Sequence, residues 1–354
     1  MSKVYFVPAD KEEGEKILVE KTNSLIKKSG ILDEIKKDDF AGIKLHFGEK
    51  ENSGFIRPSV VKEVGRLCKA VSDNVTMVET NTIYAGERSN SISHLKLAYS
   101  HGFGFERTEL PAIIADGPTG RDFVSVDINK KHVKEAKVAS GIMDLDVILG
   151  LAHVTGHCQT GLGASIKNIG MGCASRAGKL EQHSTVLPEV TADKCIGCGL
   201  CIKWCPANAI KLNNDKAAIS KEACIGCGEC TVACRTEAIE IKWNESVQNL
   251  QEKMAEYAYA ALRGKKRGFL NFLMKITKDC DCMAKENDPS IVSDIGILAS
   301  KDPVSIDKAT IDLLNNLGNC DRLKDGYPNI DWNIQVNYAA KIGLGSLDYE
   351  LINI

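Results

Sequence analysis

The amino-acid sequence predicts an α/β fold, with a largely parallel or mixed sheet interrupted by a short cysteine-rich α+β insertion. Three observations carry that prediction. Strand-length apolar runs alternate with stretches of helical period through the first 190 residues, the pattern of strands and crossover helices built on one sheet. The alternation stops at eight cysteines between Cys195 and Cys234, and helical periodicity returns beyond residue 243.

The elements follow in order. SKVYFVP opens as a strand, and EGEKILVEKTNSLIKKSGIL continues with helical period. DFAGIKLHFG is the next strand and RPSVVKEVGRLCKAV the next helix, whose apolar phase places Cys68 in the core. NVTMVETN, SNSISHLKLAYSHGF, PAIIADG and MDLDVILGLAHV then read as strand, helix, strand and strand. After the cysteines, SVQNLQEKMAEYAYAALRG is an amphipathic helix. ILASKDPVSIDKATIDLLNNLG contains another, with Asp302 and Pro303 near its start. The stretch after residue 243 thus reads as mostly helical. Neither flank completes a sheet alone, so 1–190 and 243–354 are expected to form one α/β domain, with 191–242 grafted between them.

Composition narrows the function classes. A formal net charge of -2 gives no basic surface for nucleic acid, and no apolar run approaches the ~18 residues of a membrane span. MSKVYFVPADKEEGEK lacks a basic region followed by an apolar run, so no signal peptide is expected. Fourteen cysteines in a chain of 354 residues without an export signal point away from a disulfide framework and towards metal chemistry in a reducing cytoplasm.

Cys195, Cys198, Cys201 and Cys205 recur 29 positions on as Cys224, Cys227, Cys230 and Cys234, and the pairs Ala209-Ile210 and Ala238-Ile239 keep that offset. Both sets are C-x2-C-x2-C-x3-C. Three thiolates in such a turn bind three corners of an iron–sulfur cubane, and the fourth cysteine of the run ligates the other cluster. Two [4Fe-4S] clusters are therefore expected. Cluster I takes Cys195, Cys198, Cys201 and Cys234; cluster II takes Cys224, Cys227, Cys230 and Cys205. Gly197, Gly199, Gly226 and Gly228 let the backbone wrap closely, and Ile196, Ile202, Ile210, Ile225 and Ile239 are expected as the apolar shell. Zinc is the alternative, but zinc sites use separated cysteine pairs rather than two triplets with exchanged fourth ligands.

Residues 191–242 resemble the bacterial ferredoxin module with two [4Fe-4S] clusters. They depart from it at Arg235, where a proline usually recurs, as Pro206 does after the first set. Nearly the whole chain resembles the DUF362 family, in which such a module interrupts a DUF362 domain. The stretches that carry this likeness are KLHFGE (Lys44–Glu49), ETNTIYAGERSNSISH (Glu79–His94), GHCQTGLGASIKNIGMGCASRAGK (Gly156–Lys179), KDCDCM (Lys278–Met283) and DIGILASKDPVSID (Asp294–Asp307). The resemblance implies a fold and no settled reaction.

A second centre is expected where polar groups follow strands, because open α/β sheets hold their sites there. The candidates for catalysis are Lys44, His46, Glu49, His157 and Lys179, with His153, Arg176 and His183 nearby in the chain. Cys280 and Cys282 flank Asp281, and with His157 or His46 they could bind zinc or iron; the bland reading is a pair of thiols on a packed loop. Cys158 and Cys173 read as inert thiols, and Cys320 as a surface or helix-end residue. GLGASIKNIGMG with Lys167 could cradle a carboxylate or phosphate, or simply pack closely. The resulting expectation is an iron–sulfur electron-transfer protein serving redox partner proteins. The alternatives are a reductase feeding electrons to a small-molecule substrate at the His/Cys site, and a metal-handling or cluster-assembly factor.

Overall fold

The computed structural model describes residues 1–316 and 321–354, so Cys320 lies outside the described residues. The main sheet has eight strands: β1 (Ser2–Pro8), β2 (Ala41–Lys44), β3 (Val75–Glu79), β4 (Ala112–Ile114), β5 (Val147–His153), β6 (Lys266–Leu273), β7 (Gly296–Ser300) and β8 (Tyr349–Asn353). Their order is β8-β1-β7-β6-β5-β2-β3-β4. The sheet is mixed. β7 runs antiparallel to both neighbours and every other pairing is parallel.

Helices cover both faces. α1 (Glu15–Ser29), α2 (Pro58–Lys69) and α3 (Ser91–Ser100) lie on one side. On the other, α4 (Ser165–Gly170), α6 (Val247–Leu262), α7 (Pro303–Asn316) and α8 (Asn333–Lys341) form the second layer, and α5 (Arg176–His183) stands at its edge. Side chains alternate across each strand, as the pleat requires. In β5, Val147, Leu149 and Leu151 join the α1/α2 core, while Ile148 joins the α4/α6/α7 core. Each such fully buried side chain contributes about 1.5–3 kcal/mol of transfer free energy.

Local chemistry sets the helix starts. The Asp302 carboxylate accepts the Val304 and Ser305 N–H groups at 2.9 and 3.0 Å, and Pro303 occupies the first turn of α7. The Ser246 hydroxyl caps α6 by accepting the Asn249 N–H at 3.1 Å.

The stretch after residue 243 departs from its mostly helical expectation, because it supplies β6, β7 and β8. KRGFLNFL in β6 lies between β5 and β7 with its last six residues buried. A strand enclosed on both faces carries a continuous apolar run instead of alternation, and periodicity alone does not distinguish it from a buried helix. A hairpin of Phe123–Asp127 with Glu135–Ala139 is a further element outside the sequence reading. No helix among the described residues is long and apolar enough to cross a membrane.

The cysteine-rich segment leaves and rejoins this body through a two-stranded neck, where Glu189 pairs with Glu240 and Val190 with Ile239. Inside it are a hairpin of Ile210–Asn213 with Lys216–Ile219 and two helical turns, Leu200–Trp204 and Glu229–Ala233. Cys195, Cys201, Ile210, Ala217, Cys230, Ala238 and Ile239 form its own small core.

Candidate functional site

The chain reverses its direction of travel across the sheet between β2 and β5. From β2 it proceeds to β3 and β4, and it then returns to β5 on the other side. The crevice beyond the carboxyl ends at such a reversal is the usual ligand position in an open α/β sheet. Here it holds a cavity of about 600 Å³.

Lys44 is the last residue of β2 and lies beside Val78 and Gly150. It is buried, ion-paired to Glu79 at 2.8 Å and hydrogen-bonded to Asn168 Oδ1 at 3.0 Å. Arg88 adds a second cation 3.7 Å from Glu79 and pairs with Glu49 at 2.8 Å. Burial pushes the Glu79 carboxyl up, but Lys44, His46 and Arg88 outweigh burial and hold it at about 2.

Lys179, on α5, donates to Thr80 Oγ1 and to the Ala174 carbonyl. Burial pushes its ammonium down to about 8, against the pull of Asp116 and Glu79. His183 is pushed down to about 3 by burial, its Nδ1 has no hydrogen-bond partner among the described residues, and its ring meets Trp243 edge-on with centroids 4.8 Å apart. His157 accepts the Gln159 and Thr160 N–H groups on Nδ1, both at 3.1 Å, and burial holds it neutral.

The loop after β6 supplies the opposite wall. His153 Nδ1 donates to Asp281 at 2.9 Å and Nε2 to the Met274 carbonyl at 2.8 Å. Burial opposes a charge on this imidazole, and Asp281 overcomes that to raise its pKa. Gly156 is what lets the loop lie so close: a Cβ there would stand 2.2 Å from the Lys278 carbonyl oxygen. Cys282 Sγ lies 3.8 Å from His46 Nε2 and 3.6 Å from Arg88 Nη2. A hydrogen bond from Cys280 pulls the Cys282 thiol well below its ordinary value despite burial, and His46, Lys167 and Arg88 add to this.

The structure therefore brings Lys44, His46, His157, Lys179, Cys280 and Cys282 to the lining of one cavity, with His153, Cys158 and His183. Glu49 stands behind it, reached through Arg88 and the Tyr84 hydroxyl. Arg176 is elsewhere, at the junction with the cysteine-rich segment. Glu79, Arg88 and Asn168 escaped the sequence reading. Glu79 and Arg88 belong to the motif Glu79–His94, but their partners are distant in the chain.

The glycine-rich run does not offer an open cradle at the α4 N-terminus. Asp307 already accepts the Ser165 and Ile166 N–H groups, at 2.9 and 2.8 Å. The other reading, close packing, describes Gly170, where a Cβ would stand 2.2 Å from the Met254 carbonyl. Cys68 and Cys173 are buried thiols pushed up to about 12 by burial.

In the cysteine-rich segment, two separate hollows are each lined by four cysteines. One has Cys195, Cys198, Cys201 and Cys234, and the other has Cys224, Cys227, Cys230 and Cys205. Backbone N–H groups aim at sulfur: Ala217 at Cys195 (3.4 Å), Ala209 at Cys205 (3.3 Å) and Ala238 at Cys234 (3.2 Å). Gly197, Gly199, Gly226 and Gly228 all have positive φ, between 66° and 73°. Ile210 and Ile239 are buried as expected of an apolar shell. Ile196 and Ile225 are not, being 70% and 61% exposed on the outer rims. Among the described residues, no three His, Cys, Asp or Glu side chains come together closely enough to hold a single metal ion.

The second hollow lies on the body side. Glu229 and Thr231 flank Cys230. Glu229 pairs with the fully buried Arg176 at 2.9 Å and with Arg121 at 3.2 Å, and Thr231 donates to the carbonyl of Ile83, a cavity-wall residue, at 3.2 Å.

A family model described as "Domain of unknown function (DUF362)" matches residues 42–312. No match is found among curated proteins. Two solved structures show a distant likeness. The lactate racemase apoprotein from Thermoanaerobacterium thermosaccharolyticum is 11% identical with a TM-score of 0.35, over 77% of this chain and 50% of that one. A protein from Thermotoga maritima is 9% identical with a TM-score of 0.40, over 93% of this chain and 59% of that one. The chain thus spans between half and three-fifths of the length of these two structures.

Proposed function

Since the chain belongs to the DUF362 family, whose description names no reaction, we propose from its own residues that it is an iron–sulfur electron-transfer protein with two [4Fe-4S] clusters. The observation that carries this reading is the exchanged fourth cysteine. Cys205 lines the hollow of the second run and Cys234 that of the first, as a two-cubane ligand set requires. The donor chemistry fits, since each hollow offers four sulfurs and backbone N–H groups directed at them. Two cysteine triplets with exchanged fourth ligands suit the corners of two cubanes better than a zinc site. Bound there, a [4Fe-4S] cluster supplies one-electron transfer at a potential set by its thiolates and their hydrogen bonds.

One observation favours the reductase version of this reading. A filled body would suit a docking platform alone, whereas this body holds a substrate-sized cavity on the side where the second hollow is anchored. Within it, Lys179 stands poised to exchange a proton near pH 8, and Lys44 and Arg88 fix a charged floor.

Iron and acid-labile sulfide on anaerobically purified protein test the proposal, with about eight of each expected per chain. Paired variants test the exchange of ligands. Cys205→Ala with Cys227→Ala should remove one cluster and leave about four iron, whereas Cys205→Ala with Cys198→Ala should remove both. Zinc in place of iron in the unaltered protein would sink the reading. A Cys205/Cys198 pair that keeps about four iron would sink the exchange.

A further inference from the structure

We propose that Cys280 and Cys282 form a redox-active dithiol, which closes to a disulfide by exchange with a disulfide-containing substrate entering the cavity. The inference goes beyond the electron-transfer reading and stands without it.

Geometry carries the proposal. Cys280-Asp281-Cys282 lies in a tight turn closed by the Met283 and Ala284 N–H groups on the Cys280 carbonyl, at 2.8 and 2.9 Å. In such a turn, alternate residues lie at about the 4.4–6.8 Å Cα separation that a disulfide spans. Asp281, between the two cysteines, is fixed by His153, so the turn is held at its centre while both sulfurs stay free.

The two sulfurs differ in access and surroundings, and this assigns their roles. Cys280 is 5% exposed, whereas Cys282 is less buried and lies against Arg88 and His46. Lys167 also lines this wall and has no carboxylate within ion-pair distance among the described residues, so its charge is available to a thiolate. Cys282 is the attacking sulfur and Cys280 the resolving one.

The exchange balances without any other reactant. Cys282 attacks one sulfur of the incoming disulfide, the S–S bond breaks, and the first thiol leaves. Cys280 then attacks the mixed disulfide at Cys282, and the second thiol leaves. Two protein thiols become one disulfide, and the substrate disulfide becomes two thiols carrying off two electrons and two protons.

The test equilibrates the full-length, anaerobically purified protein in glutathione redox buffers, followed by acid quench, alkylation and peptide mass mapping. A Cys280–Cys282 linked peptide should appear as the buffer becomes oxidising and vanish on reduction. In Cys280→Ser, glutathione should be trapped on Cys282, at least about tenfold faster than on Cys280 in Cys282→Ser. The map of the unaltered protein needs no variant to fold. The proposal is overturned if both thiols stay alkylatable in the most oxidising buffer, or if the two trapping rates are equal. It is also overturned if metal analysis finds an ion that either serine variant loses. Iron and sulfide counts on the same sample judge the cluster reading separately.

Discussion

At the scale of single residues, the clearest consequence comes from Glu79. Its carboxyl is held at about 2 in the fold, against an ordinary value of 4.5. A group whose folded pKa is depressed contributes stability above its unfolded value, and that contribution is lost as the pH falls through the folded one. Glu79→Gln leaves Lys44 buried without its counter-charge and should cost about 3–5 kcal/mol at neutral pH. The deficit relative to the unaltered protein should shrink as pH falls from 4.5 towards 2, measured by urea unfolding across that range. A deficit constant with pH would show that shape, and not charge, is what the variant loses. Lys44 was legible in the sequence because it follows an evident strand. Its carboxylate was not, since Glu79 meets it only once β2 and β3 lie side by side.

At the scale of elements, the two cysteine turns are twins in sequence and not in surroundings. Gly197 and Gly226 share φ near +67°, at +68° and +66°. A Cβ on Gly197 would stand 2.4 Å from the Asp215 carbonyl, because the tip of the hairpin folds against the first turn. A Cβ on Gly226 would meet just the Leu187 side chain, at 3.5 Å. Alanine at either carries the left-handed backbone cost of about 1–2 kcal/mol, and Gly197→Ala adds a backbone clash. Gly197→Ala should therefore lose more iron than Gly226→Ala under the same chelator challenge; equal losses would count against this asymmetry. The 29-residue offset made the cysteine pattern readable to the residue, but it carried no sign of which turn the hairpin's tip would meet. The strands after residue 243 were hidden for a different reason. β6 is apolar on both faces, and β8 is too short and too mixed, as YELIN, to announce itself.

At the scale of the molecule, a buried ion pair, backed by Arg121, links the cysteine-rich segment to the sheet domain. Arg176 and Glu229 both have fully buried side chains, and Arg176 also donates to the carbonyls of Thr82, Ser89 and Thr119. Arg176→Ala leaves the buried Glu229 carboxylate with only the part-exposed Arg121, and should destabilise the protein by up to about 3 kcal/mol, less than a fully stranded buried charge would cost. Adding Glu229→Ala should return part of that loss, because the under-paired buried carboxylate is then gone. Denaturant unfolding of the two single variants and the double variant checks this. Strict additivity would mean that the pair does not couple the two parts. The sequence placed Arg176 among groups for a reactive centre; only the fold reveals it as a fastening.

The sheet order also dictates when the domain can assemble. β1 precedes every other strand of the sheet, yet both of its neighbours, β7 and β8, follow all the rest. Its N–H and C=O groups have no ladder to join until β7 or β8 has been made. The cysteine-rich segment, by contrast, draws its hairpin, neck and small core from within its own stretch. Contacts close in sequence form quickly, and distant ones wait on loop closure. The segment is thus free to take shape early, while the sheet that frames the cavity is completed last.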